Sequence, residues 1–424
     1  MNVNSSFNKV ANDYLHYGYL PPDTLPEFIK KGLKKNDKAV YSAAYLSSLL
    51  DRIFNDSVEH FSGNGYCIVP VSGGWDSRIL LGLALENFPS NQIKTYSFGT
   101  RGQLDFDLGK KLSKKVGVEH VEFDLSKIEL TFEELKKSVQ KSPWTYVPDA
   151  FFNSYCYIKM AGNEDIILSG FMGDPLTGGH TYKKNGADIP GYFAKSQSVV
   201  KNHRLTQSDY NPTESLPETF SASTFLKHEQ LDLGVRQANC IVPIISSKNS
   251  WDQWGTSLGF AEGTNAEIIT PFAHKEWIRY WQHAPENEKK ERRLYLKLLE
   301  RKFPVLASLP AKDFYGAKRQ NDYRYKLNRK KYHGKMILNR NFPKIFPIPR
   351  LMMNYLDYDT IFRRRDDYIS ILNQAFSFLD ETPVSDWINF DELQNNHRSY
   401  RLNLSKEFLL LIGLALNLEV ADEE

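Results

Sequence analysis

Cysteine is scarce. Cys67, Cys156 and Cys240 are far apart and odd in number, which suits neither a disulfide framework nor a zinc site and points to a reducing, cytoplasmic setting. Long apolar runs are missing as well. No stretch approaches about 18 uncharged apolar residues, and the N-terminal MNVNSSFNKVANDYLHYGYL lacks a basic region followed by an apolar core, so neither a membrane partner nor a signal peptide is expected. Net charge is also small. At +3 over 424 residues it supports no whole-molecule attraction to nucleic acid or membrane, and only local clusters can carry such a case.

What is present is a rhythm of short β-rich runs and amphipathic stretches. YSAAYLSSLLDRIFNDSVEHF places Tyr45, Leu49, Ile53 and Val58 at helical spacing. YCIVPV (66–71) then reads as a strand, SGGWDS as a Gly-rich turn and RILLGLALENF as a helix. The beat repeats with IKTYSFG (93–99), a helix ending at Gly117, VEHVEFDL, a helix over 150–162, and DIILSG (165–170) running into GFMGDPLTGGH. Alternating strands and helices imply a parallel sheet covered on both faces. Beyond about 181 the strand rhythm stops, and KEWIRYWQHA, ERRLYLKLLERKF and KEFLLLIGLALNLEV predict a mainly helical second half. The segment YKKNGADIPGYFAKSQSVV reads as a loop at the sheet's carboxyl edge.

The 72–77 loop sits where a parallel sheet offers helix N-terminal amides to an anion. Gly73 and Gly74 permit close backbone approach to phosphate, Ser72 and Ser77 add hydroxyls, and Asp76 is suited to a magnesium ion bridging phosphates. No Lys follows the glycines, so this is not the GxxxxGK[ST] loop. Trp75 reads as packing rather than recognition.

SGGxDS in this context resembles the loop of the ATP pyrophosphatase superfamily, and within it the synthetase domain of the asparagine synthetase family. The likeness covers roughly 40–316. It implies a sheet of the adenine nucleotide α-hydrolase (HUP-like) type followed by a mainly helical lobe. It also implies ATP held by Val71, Ser72, Gly73, Gly74, Asp76 and Ser77, with Ser97, Phe98 and Gly99 of YSFG on the strand that meets adenine. SGFMGDPLTGG (169–179) resembles SGEGADELFGG, which places Ser169 and Gly170 near ribose and α-phosphate and Asp174 beside Asp76 as a second Mg2+ ligand. EIITPFAH (267–274) resembles ExRxPFLD, and RKFPVLASLPAKDFYG puts Lys312 on the family's catalytic lysine.

Three departures fall on the acceptor half: Phe171 for a Glu that handles the nucleophile, Ile269 for Arg, and His274 for Asp. His274 reads more simply as a helix cap than as a base. Pro175 also replaces a Glu beside the metal-site Asp. The adenylation half therefore carries over better, and a carboxylate other than aspartate is favoured. Asn2 follows Met1 where glutamine-using members carry a cysteine nucleophile, so the expectation is a synthetase half acting alone. Its substrates would be a small-molecule or peptide carboxylate and ammonia or an amine, the ammonia free or supplied by a separate glutaminase subunit.

The expected division is a helical linker segment over 1–60, an ATP pyrophosphatase domain over 61–316 (sheet core 61–180, helical part 181–316), and a basic, helical extension over 317–424. Two other readings compete with amide formation. An RNA-modifying ATP pyrophosphatase would use the basic, aromatic-rich stretch 312–350 on phosphates, although CxxC pairs are lacking and nucleic acid is the less favoured partner. A degenerate nucleotide-binding subunit would explain Phe171, Ile269 and His274, against the intact loop.

Overall fold

The computed structural model describes residues 3–18, 20, 40–59, 61, 63–141, 144, 156, 159–162, 164–170, 173–178, 198–199, 205–215 and 266–423. Phe171, Cys240 and most of the helix and loop expected over 150–162 and 182–200 lie outside them.

The helices and strands follow in the order α1 (Val3–Tyr17), α2 (Ala43–Val58), β1 (Cys67–Pro70), α3 (Asp76–Asn87), β2 (Ile93–Gly99), α4 (Leu104–Val116), β3 (Glu119–Asp124), α5 (Phe132–Lys141), β4 (Ile166–Leu168), α6 (Gly173–Thr177) and β5 (Glu267–Ile269). The longer helices after them are α7 (Lys275–His283), α8 (Arg293–Lys302), α9 (Tyr323–Asn341), α10 (Tyr358–Arg364), α11 (Asp366–Asp380), α12 (Phe390–Arg398) and α13 (Ser405–Glu423). The five strands form one sheet in the order β3-β2-β1-β4-β5. Every adjacent pair is parallel, with Cys67 opposite both Ile93 and Ile166. The predicted parallel α/β sheet is thus present, and the described residues after β5 are mainly helical.

Strand alternation divides the core in two. Cys67 and Val69 face a layer made by α2, α3, α7 and α8, including Leu50, Leu83, Trp281 and Leu298. Ile68, Tyr96 and Ile167 face the opposite way, onto Tyr14 of α1, Leu135 of α5 and the C-terminal helices through Phe362, Leu372 and Leu411. The stretch expected as an extension therefore shares with α1 and α5 the cover of one face of the sheet. Helix α13 is apolar on nearly every side because it lies inside that layer. No helix of the described residues is long and apolar enough to cross a membrane.

Chain order places the site. From β1 the strands run outward to β2 and β3, then return to the other side of β1 as β4 and β5. The carboxyl ends of β1 and β4 therefore diverge into loops that leave a crevice, the usual ligand position in an open parallel sheet.

Helix α3, which carries the loop after β1, is buried from Ser77 to Ala84. It approaches the start of the 304–317 segment so closely that a Cβ on Gly82 would lie 2.5 Å from the Phe303 ring. Gly82→Ala should destabilise the protein by about 1–3 kcal/mol through overpacking. A lower urea midpoint with unchanged slope is the expected result. An unchanged midpoint would show that this packing yields.

Candidate active site

The 72–77 loop is organised by its own polar groups. The Val71 N–H continues the sheet by donating to the Tyr96 carbonyl (2.8 Å). The Ser72 N–H donates to Ser77 Oγ (3.2 Å), and the Gly74 N–H donates to Ser72 Oγ (3.1 Å). Trp75, at the first turn of α3, gives no side-chain cap. Gly73 is closely packed, since a Cβ there would stand 3.0 Å from Lys312 Cβ and 3.1 Å from Leu108 Cδ1.

That proximity is fixed by Arg78. Its guanidinium is fully buried and donates through Nε to the Gly74 carbonyl (3.0 Å), and through Nη1 to those of Leu306 and Leu309 (both 3.0 Å). Nη2 reaches the carbonyls of Pro310 and Gly73. Burial lowers its pKa to about 10, so the group stays charged near neutrality. Trp75 completes the seal, with the Arg78 guanidinium 4.7 Å from its ring centroid, Phe314 packed edge-on, and Nε1 donating to Asp313 Oδ2 (2.7 Å).

Lys312 follows directly from this knot. Its N–H donates to the Gly73 carbonyl (2.9 Å), while Nζ donates to Asp105 Oδ2 and to Asn354 Oδ1 (2.7 Å). The other oxygen of Asp105 accepts from the Gly73 N–H (3.2 Å). One carboxylate at the start of α4 thus holds both the loop and the lysine.

The two candidate metal ligands also meet. The Asp174 N–H donates to Asp76 Oδ2 (3.1 Å), and Tyr295 Oη donates to Asp76 Oδ1 (2.6 Å). A Cβ on Gly173 would fall 2.3 Å from the Asp76 carboxyl carbon, so only glycine allows this approach. Arg292 Nη2 pairs with Asp174 Oδ1 (2.7 Å), and its Nη1 pairs with Asp313 Oδ2 (2.7 Å). Burial is the main cause that raises the Asp76 pKa to about 7; the Tyr295 hydrogen bond opposes it and the nearby Asp174 charge adds to it. Two carboxylates in a desolvated corner supply the hard oxygen donors that a divalent cation such as Mg2+ takes, and such a cation would favour the ionised form of Asp76. Asp76 and Asp174 would hold it.

Between these groups lies a cleft of about 390 Å3, within the usual range for a ligand pocket. Val71 and Ser72 line it from the loop after β1, Asp76 and Ser77 from the start of α3, Phe98 from β2, and Ser169 and Gly170 from just beyond β4. Lys312 and Asp174 border it through Asp105, Asn354 and Asp76. Ser97 does not send its side chain there. Its Oγ donates to the Phe106 carbonyl (3.3 Å) and stands 3.1 Å from His120 Nε2, on the far side of β2. Gly99 ends the strand at φ 145°, where a Cβ would meet Gln103 Oε1 at 2.4 Å.

Two of the acceptor-half departures are structural. Ile269 is buried in the core at the end of β5, and its carbonyl accepts from the Ser169 N–H (2.8 Å). His274 caps α7, with Nδ1 accepting from the Glu276 N–H (3.3 Å).

Sequence reasoning missed Arg78, Tyr295, Arg292 and the far wall of the cleft. That wall is Asn354 and Tyr355, from beyond the lysine motif. Tyr355 stacks on Phe98 (centroids 5.7 Å, 15°), and its carbonyl accepts from Gln103 Nε2 (2.6 Å). Positive φ at Tyr355 (55°) marks a backbone held by those contacts.

The raised pKa of Asp76 has a signed consequence. Folding favours the protonated acid, so its contribution is greatest below the unfolded value and is lost as pH rises through about 7. Measured without metal, Asp76→Asn should gain stability relative to wild type between about pH 5 and pH 8, on the order of 1 to 3 kcal/mol. A difference independent of pH would contradict the assignment.

The asparagine synthase family profile matches residues 49–301, which takes in the sheet, the loop, Asp174 and Tyr295. A 7-cyano-7-deazaguanine synthase from Wolinella succinogenes is 28% identical over 120 residues, covering 24% of this chain and 52% of that protein. The chain thus spans about half the length of that relative. With a family match over more than half of its length, set on the sheet edge where the loop and its carboxylates meet, the chain belongs to the asparagine synthase family, a family of ATP-using enzymes.

Proposed function

We propose that this protein is an ATP-dependent amide-forming ligase that adenylates a substrate carboxylate, releases pyrophosphate and passes the acyl group to ammonia or an amine. The observation that carries the reading is the convergence, at one sheet edge, of the 72–77 loop, the Asp76 and Asp174 carboxylates and a lysine joined through its backbone to Gly73.

A carboxylate does not react with an amine at neutral pH because oxide would have to leave. In the proposed reaction a carboxylate oxygen attacks the α-phosphorus of ATP, and the bond from that phosphorus to the oxygen bridging to the β-phosphate breaks. Pyrophosphate leaves toward the loop amides. The amine then attacks the acyl carbon, loses a proton, and AMP departs. Mg2+ held by Asp76 and Asp174 would neutralise polyphosphate charge. The protein's part is positioning: the loop backbone and the Lys312 backbone are held together beside a partly desolvated cleft before charge develops. Lysine's flexible stem lets Nζ exchange Asp105 and Asn354 for α-phosphate oxygens while its backbone stays fixed.

Because Ile269 and His274 serve packing and capping, recognition of the acyl acceptor falls to other groups. This favours a small-molecule or peptide carboxylate other than aspartate, with ammonia free, from a separate glutaminase subunit, or replaced by an amine. Such chemistry suits the making of surface polysaccharides or specialised metabolites.

Two measurements test the proposal. Turnover should yield AMP and pyrophosphate, and ADP with phosphate would exclude it. Lys312→Met should keep the unfolding midpoint and ATP affinity near wild type while adenylation, read as exchange of labelled pyrophosphate into ATP, falls about 100- to 1000-fold. A variant retaining more than about a third of wild-type exchange would show that Lys312 does not carry the reaction.

A further inference from the structure

Helix α9 and the turn after it are not explained by the cleft. None of the residues of α9 is buried. Tyr325, Asn328, Tyr332, Met336 and Asn339 recur on one half-covered face, which is tied to the body where Asn328 Nδ2 donates to the Tyr315 carbonyl (2.8 Å) and Tyr315 meets the rings of Tyr325 and Tyr332. The rest faces solvent. Arg324, Lys326, Arg329, Lys330, Lys331 and Lys335 are all exposed, Arg340, Lys344 and Arg350 continue the series, and no Asp or Glu lies between Asp322 and Asp357. This segment alone carries more positive charge than the chain's net +3, so the remainder is net acidic.

The far end of the helix is apolar as well as basic. Ile337 (61% exposed), Phe342 (54%) and Ile345 (71%) stand in solvent with Leu338 and Phe346 beside them. Ile337 and Leu338 lie near the end of the helix and the others stand in the turn after it, which is tied back where Asn339 Nδ2 donates to the Phe346 carbonyl (2.8 Å) and the Phe342 and Phe346 rings lie 6.5 Å apart. Arg340 and Lys344 flank it.

We propose that the 323–350 segment docks this protein on an anionic lipid surface, with the 337–346 turn inserted among acyl chains and the surrounding Lys and Arg side chains on lipid phosphates. Two other occupants fit less well. Nucleic acid would take the cations, but it offers stacking surfaces for rings and nothing for Ile337, Leu338 and Ile345. A second copy of the chain paired through the same face would bring like charges together. A lipid surface meets both demands, since apolar side chains flanked by Lys and Arg partition into the interface and anionic headgroups attract the cations. The helix spans about 28 Å at 1.5 Å per residue. It leads back through Tyr315 to Lys312, so a docked molecule would hold its cleft near the membrane.

The test is sedimentation of the full chain with vesicles of phosphatidylcholine alone or with about a third phosphatidylglycerol, beside a fluorescent oligo-uridine binding assay. The expected result is at least about ten-fold stronger binding to the anionic vesicles, weakened by salt and reduced about ten-fold in Phe342→Asp/Ile345→Asp. That variant should keep wild-type circular dichroism and pyrophosphate exchange. Absence of binding to both vesicles, equal binding by the variant, or binding of the oligonucleotide with both vesicles inert would each overturn the proposal.

Discussion

The buried guanidinium of Arg78 holds the site together. An uncompensated charge inside a protein is strongly unfavourable, and arginine is tolerated there only when its donors are met. Here the partners are carbonyls of two chain segments far apart in sequence: Gly73 and Gly74 in the loop, and Leu306, Leu309 and Pro310 before Lys312. Lysine, with a compact ammonium and three donors, could not bridge them in this fork geometry. The consequence is positional. The loop cannot move without the segment that carries the lysine, and Asp105 adds a second tie between them.

A parallel network serves the carboxylates. Arg292 joins Asp174 to Asp313, next in sequence to Lys312, while Tyr295 and the Asp174 amide fix Asp76. Arg292 and Glu291 both have positive φ (57° and 55°), unfavourable for residues with a Cβ. These contacts hold that geometry and bring the arginine between the two acids. Loop, acids and lysine thus form one connected unit.

How much of this could be read from the chain depended on how local each signal was. Strands β1 to β4 were legible because each is a β-rich run bounded by turn residues, and Ser72, Asp76, Asp174 and Lys312 stand in contiguous strings. Strand β5 is no shorter than β4, but it begins with Glu267 and follows a long stretch without strand rhythm. Tyr45 marks the limit of spacing arguments: it falls on the expected helical stripe, yet is exposed while Leu46 and Leu50 fill the core. Arg78 was invisible because an arginine after a polar loop usually faces solvent, and its partners are carbonyls, which leave no trace in side-chain identity. Asn354 and Tyr355 lie beyond the last recognisable motif and reach the cleft only because the C-terminal helices fold back over the sheet.

Hydrogen exchange on Arg78→Met, compared with wild type, tests the coupling of loop and lysine segment most directly. If the guanidinium locks the two together, protection should fall in both 72–77 and 306–316, while β1 and β2 keep theirs. Loss confined to the loop, with 306–316 protected as in wild type, would contradict the account.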